Sequence, residues 1–172
     1  MLVTRLLAAT AAGLLVAGCA IPMAAPPARS AGPASATPYA STEARIFDLI
    51  NAERTSRGLR PLLYNAQLDQ MAKIQATNMA QFQKMAHVLP DAQLPTLKDR
   101  AQYVGYHYGQ IAENVALGYP SAESVVEGWM NSSGHRQNIL DSHEIETGIA
   151  IARSRSGGIY YAQVFGRRLS SL

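Results

Sequence analysis

The C-terminal end of the chain constrains its fold more than any other part. Ile145 to Ala152 (IETGIAIA) is β-branched and alternating, and Ser156-Gly157-Gly158 follows as a turn. Ile159 to Phe165 (IYYAQVF) then reads as a second strand, so the two form a β-hairpin. The second strand offers Ile159, Tyr161 and Phe165 on one face and Tyr160 and Val164 on the other. A strand apolar on both faces is covered on both faces. The cover must come from upstream, where the pattern is helical. The fold predicted is therefore α/β, a three-layer α-β-α sandwich around a small, mainly antiparallel sheet.

Three helices carry apolar stripes. Ser41 or Thr42 can cap the first, with Glu43 in its first turn, Ile46, Leu49 and Ile50 as its stripe, and Gly58 to stop it. Leu59 to Tyr64, interrupted by Pro61, suits a loop or edge strand. Asn65 caps a second helix striped by Leu68, Met71, Ala72, Ala76, Met79 and Phe82. From His87 to Gly109 periodicity is lost, and this segment is expected to wrap over one face. A third helix runs from about Ser121 to Asn131, with Val125, Val126 and Trp129 on one side, and a second short helix follows the Ser132-Ser133-Gly134 break.

The N-terminus speaks to the compartment. Arg5 precedes an apolar run, Leu6 to Ala17, that is shorter than the about 20 residues a membrane-spanning helix needs. It ends in Val16-Ala17-Gly18-Cys19, which resembles a bacterial lipobox, and Cys19 is the only cysteine in the chain. Residues 1–18 are thus expected to be a lipoprotein signal peptide, with Cys19 as the lipidated mature N-terminus. Several acyl chains on Cys19 would hold the protein on a membrane, where one alone anchors marginally. Ala20 follows the cysteine, a pattern resembling export to the outer membrane in a Gram-negative cell. Residues 19–41 contain five of the nine prolines among Ala, Ser and Gly, the composition of an extended linker. Residues 42–172 remain as one domain of ordinary size.

Composition excludes some functions. Formal net charge is +3, of which the signal peptide holds only Arg5, and the basic residues are scattered apart from Arg153, Arg155, Arg167 and Arg168. Without a continuous basic face interleaved with aromatics, nucleic acid is not an expected partner.

The chemistry-bearing residues are few. WMNSSGHRQNIL (Trp129 to Leu140) sets His135 on a turn between two helices, and the lone His87 and the AEN of Ala112 to Asn114 are the other polar marks. Two imidazoles and a carboxylate with an open position would satisfy a catalytic zinc. Without metal, His87 and Glu113 could form a general acid/base pair if hydrogen bonded. Each has a plainer role as well: His87 as a buried histidine, Glu113 as a loop tie, His135 as a helix cap. Asn114 and Asn138 read as loop-fixing amides, Trp129 as core, and Ser132 and Ser133 as helix-ending residues rather than nucleophiles.

In order along the chain, NAERTSRGLRPL, a helix ending in MAHV, AENVA, WMNSSGHRQNIL, GIAIA and YYAQVFG resemble the bacterial branch of the CAP superfamily, the SCP-domain proteins. The resemblance covers Thr42 to Gly166 and implies an α-β-α sandwich. It also implies a cleft lined by two His and two Glu, which in some members binds a divalent metal. His87 and Glu113 match the first His and first Glu, whereas Ser132 stands at the second Glu and Tyr160 at the second His. His135 is then the candidate replacement. The expected cleft is His87, Glu113, His135 and Tyr160, with His87, Glu113 and His135 as candidate ligands of a divalent ion such as zinc. Three functions follow as expectations. The favoured one is a membrane-tethered, extracytoplasmic module binding a lipid, peptide or glycan. The others are a metal-dependent envelope hydrolase and a structural envelope lipoprotein.

Overall fold

The computed structural model describes residues 39–169. Cys19, the apolar run before it and nearly all of the proline-rich segment lie outside those residues. Five helices and four strands follow one another: α1 (Ala40–Thr55), β1 (Leu63–Tyr64), α2 (Ala66–Phe82), α3 (Leu97–Tyr103), β2 (Tyr108–Leu117), α4 (Ala122–Asn131), α5 (Ser133–Leu140), β3 (Glu146–Arg153) and β4 (Ile159–Arg168). The sheet order is β1-β3-β4-β2, with β1 parallel to β3 and the other pairs antiparallel.

The hairpin read from the sequence is β3–β4, and Gly157 turns it with φ +93°. Tyr160, Ala162 and Val164 pack with Leu68, Met71, Ala72 and Met79 of α2. Tyr161 and Phe165 point the other way, into Ile46 and Ile50 of α1, Val125 and Trp129 of α4, and Ile139 of α5. The sheet is therefore covered on both sides, as its doubly apolar strand requires.

Local signals and tertiary contacts divide the element boundaries between them. Asn65 caps α2 by accepting from Gln67 N at 2.8 Å and Leu68 N at 3.1 Å. Ser121 and Ser124 form a reciprocal box at the start of α4. The first helix begins earlier than its capping residues suggest: it starts at Ala40, behind Tyr39, which makes no side-chain cap. Tyr39 packs against the α1–α4–α5 cluster, and its hydroxyl accepts from Arg153 Nε at 3.1 Å, so the helix is held from outside. Residues 40 and 41 thus belong to the helix and not to the linker. The second helix ends at Phe82, where Gln83 adopts φ +52°, so MAHV lies beyond the helix in a loop. Two elements inside or beside the aperiodic stretch escaped the sequence reading: α3, seven residues opened by a Thr96–Asp99 capping box, and the edge strand β2.

At one end of the sheet, buried Arg54 of α1 donates to Ile139 O at 2.7 Å, Asp141 O at 2.9 Å and Arg60 O at 2.9 Å, stapling α1 to the end of α5. Beside it Glu144 is 2% exposed and accepts from Gln110 Nε2 at 2.9 Å. Burial pushes the Glu144 carboxyl up to about 7, against the opposing pull of the Gln110 hydrogen bond. The fold thus favours the neutral acid. That stabilisation is complete below the ordinary value of 4.5 and is lost as pH rises toward about 7. At 1.36 kcal/mol per unit, the loss is roughly 3 kcal/mol at most. Glu144→Gln keeps the shape and the acceptor for Gln110 without titrating. In denaturation melts, its stability advantage over wild type is expected to grow by about that amount between acid and mildly alkaline pH. An advantage independent of pH would show that Glu144 is solvated.

Candidate functional site

The edge strand β2 organises the site. Its alternation sends Ile111 and Val115 toward α2 and Ala112 and Ala116 toward the α1–α4–α5 layer. Glu113 shares the first face and Asn114 the second, so consecutive residues reach opposite sides of the sheet at its border.

Glu113 is the hub. Its side chain is 3% exposed, and its two oxygens are divided between an imidazole and a guanidinium. Oε1 lies 3.0 Å from His87 Nδ1, and Oε2 accepts from Arg100 Nη2 at 2.6 Å. Arg100 comes from α3 and is fully buried. Burial pulls its guanidinium below the ordinary value, while Glu113 pushes it back up. A carboxylate taken out of water needs such partners, because the desolvation of an unpaired charge costs several kcal/mol.

His87 is held in the loop after α2, where Gln75 Nε2 donates to Ala86 O. The imidazole is 57% exposed, and Nε2 carries no hydrogen bond among the described residues. The Glu113 hydrogen bond raises its pKa, with burial acting in the opposite direction. His135, at the start of α5, is half-buried, and burial lowers its pKa, helped by the charge of His87. The charge of His87 is therefore felt at His135.

Amide bonds fix that spacing. Asn138 Nδ2 donates to Glu113 O at 3.3 Å and to Asn114 Oδ1 at 2.9 Å, and Asn114 Nδ2 donates to His135 O at 3.2 Å. The α5 helix is thereby stitched to the backbone of Glu113. Tyr160 does not join the group. It pairs with Leu117 whereas Glu113 pairs with Val164, about 13 Å farther along β4 at 3.3 Å per residue. It is 3% exposed within the α2 cluster. Ser132 occupies the α4–α5 junction, and neither it nor Ser133 is bonded to an imidazole among the described residues.

A family model described as the cysteine-rich secretory protein family, CAP, matches residues 47–165. The chain belongs to the CAP family. The Bacillus subtilis protein YkwD is 33% identical over 138 residues, covering 80% of this chain and 51% of YkwD. The chain spans about half of that relative, and it covers 35% of the B. subtilis membrane protein YlbC, which is 31% identical. An extracellular SCP-domain protein from Bacillus anthracis superimposes with a TM-score of 0.67 at 28% identity, covering 74% of this chain and 41% of that one. An outer surface protein from Borrelia burgdorferi, at 19% identity, shares the fold with a TM-score of 0.70 over 77% of this chain and 97% of its own.

In this CAP domain Arg100 is the partner that sequence reasoning missed. The one local signal was Thr96-x-x-Asp99, a capping box that opens a helix and so fixes where Arg100 points. Its presence bears on metal binding. As arranged, both Glu113 oxygens are engaged, one by a guanidinium, so Glu113 does not fit as a direct ligand. Among the described residues no group of three or more His, Cys, Asp or Glu side chains is arranged to hold a metal ion. What the geometry offers instead is an oriented imidazole with a carboxylate behind it.

Proposed function

We propose that this CAP domain is an extracytoplasmic, membrane-tethered binding module whose recognition surface is centred on His87, with Glu113 and Arg100 behind it and His135 beside it. The observation that carries this reading is the exposed imidazole whose Nδ1 is fixed by a buried, arginine-backed carboxylate, leaving Nε2 for a ligand. Met85 and Val88, 49% and 50% exposed, flank His87 in the chain. A polar anchor between apolar residues suits a lipid, peptide or glycan that carries one hydrogen-bonding group beside apolar surface. Hydrolysis is less well supported, because no hydroxyl nucleophile is bonded to either imidazole among the described residues and the zinc-ligand role of Glu113 conflicts with its ion pair.

The two histidines are the reporters. In NMR titrations His87 is expected to titrate above its ordinary value and His135 below it, with Glu113→Gln bringing His87 down. Because the folded-state value of His87 is raised, its contact with Glu113 stabilises fully below 6.5 and the contribution fades as pH rises through the shifted value. Anionic phospholipid vesicles, apolar peptides and peptidoglycan fragments are the probes. At least one class should shift the His87 ring signal in the wild type and bind more weakly to a folded His87→Ala variant. If none moves His87, the reading fails. Turnover of a peptide or glycan bond that is lost in folded Glu113→Ala would replace it with the hydrolase.

The tether belongs to the same proposal. It is supported by the apolar run ending at Cys19 and by the extracellular location of the B. anthracis relative. Mass spectrometry of the mature protein is expected to find an acylated Cys19 at the N-terminus. An unmodified peptide beginning at a nearby alanine would remove the lipid anchor.

A further inference from the structure

A second polar pair lies away from His87, at the end of the sheet where β1 and β3 begin. A pocket of about 560 Å³ opens there between the Arg60–Leu63 segment and the Ser142–Ile145 segment, with Arg167 also in its wall. Pro61, Leu63 and Ile145 give it an aliphatic lining, and Leu63 and Ile145 remain 61% and 48% exposed. An acid and a guanidinium line the same pocket with no hydrogen bond or ion pair between them. Glu144 is 2% exposed, and its Oε2 is buried with no hydrogen-bond partner. Arg167 Nε is likewise buried and unpartnered, and no ion pair links the two. The charge of Arg167 nonetheless reaches Glu144.

Unpaired buried donors and acceptors are rare because each costs free energy, and here the two residues that carry such a complementary pair both line one cavity. A ligand that fits must accept from a guanidinium N–H and donate to a carboxyl oxygen while covering aliphatic surface. A peptide linkage does this, its C=O toward Arg167 and its N–H toward Glu144. A simple cation suits the site poorly, because Arg60 and Arg167 are both present. A carboxylate or phosphate would meet Glu144. Sugars usually stack on Trp, Tyr or Phe rings, and this lining has none of these.

We propose that the Glu144–Arg167 pocket is a peptide-binding site, separate from the His87 surface, that takes one backbone amide between these two side chains and an aliphatic side chain against Leu63 and Ile145.

The test is an NMR titration of the full-length protein with isotope-labelled Leu and Ile methyl groups. Acetyl-leucine N-methylamide is the peptide probe. Methyl isocaproate has the same apolar group without an N–H, and N-acetylglucosamine has the amide on a sugar. The peptide probe is expected to shift the Leu63 and Ile145 methyls saturably, and the ester to bind about tenfold more weakly, the effect of one lost hydrogen bond. Glu144→Gln and Arg167→Gln should each weaken the peptide probe by a similar factor while remaining folded by melting curve. His87→Ala, which removes the surface proposed above, should leave these shifts unchanged, so the two readings can fail independently. Equal binding of ester and amide would overturn the proposal, as would shifts from the sugar alone. It would also be overturned by the absence of any shift, which would leave the pocket to water.

Discussion

Replacing Gly148 with alanine is expected to cost about 4 kcal/mol or more, beyond the usual range for overpacking, and to leave little folded protein at ambient temperature. Gly148 sits in β3 opposite Val164, directly beneath the first turn of α2. A Cβ there would lie 1.9 Å from Asp69 N and 2.3 Å from Leu68 C. Both are backbone atoms, so no rotamer change relieves the clash. Helix and strand are pinned together at that point, since Asn65 N donates to Thr147 O at 3.0 Å and the Ile149 backbone N–H is bonded to the Asp69 carboxylate. Moving α2 outward would break those bonds and open the cluster around Leu68 and Met71. Gly134 in α5 is the matched control, with nothing within 4 Å of its would-be Cβ. Gly134→Ala should be neutral or gain up to about 1 kcal/mol from helix propensity. Chemical denaturation of both variants decides the matter. A loss below about 1 kcal/mol for Gly148→Ala would mean that the helix yields freely.

Arg100→Met carries the second large effect. It removes the cation from a pair whose side chains are 0% and 3% exposed, leaving the Glu113 carboxylate with only His87. Breaking a buried pair from one side costs about 3–5 kcal/mol, far more than the pair contributes over an apolar substitute. The double variant Arg100→Met/Glu113→Gln should therefore be more stable than Arg100→Met alone, and a double-mutant cycle gives the coupling. Exposed ion pairs contribute at most about 1 kcal/mol, so a loss of that size for the single variant would show that water reaches Glu113. The same variant separates stability from recognition. If it folds, its His87 ring should be less well fixed, and any ligand that depends on Nε2 should bind more weakly.

Much of the architecture was legible along the chain. Tyr160 and Val164 against Tyr161 and Phe165 announced a strand covered twice. Asn65 and Ser121 marked helix starts through side-chain oxygens that accept from the next turn. Leu59 to Tyr64, short and interrupted by Pro61, read as a loop or edge strand, and its last two residues form the edge strand β1. The boundaries that were misread depend on distant contacts. Tyr39 starts α1 early by packing on α4 and α5, and no local residue reports that. β2 escaped because its burial comes from β4 and from layers on both sides, and the run Tyr108 to Leu117 mixes Gly, Gln, Glu and Asn that only a formed edge makes acceptable.

The site divides in the same way. Residue types and spacing picked out His87, Glu113 and His135, and family likeness added Tyr160, which the sheet register carries into the core. Arg100 could not be read from sequence, because an arginine in a polar stretch looks solvated until its helix is docked on Glu113. By itself the sequence determined the layered sandwich, the starts of the helices at Asn65 and Ser121, the hairpin and the polar residues available for chemistry, since periodicity and capping act within a few residues. Only the tertiary structure decided how those residues pair. It gave Glu113 to Arg100 and His87, kept Glu144 and Arg167 apart in one pocket, and placed Gly148 under a helix. Each of those outcomes depends on distances between segments far apart in the chain, and local preferences do not encode such distances.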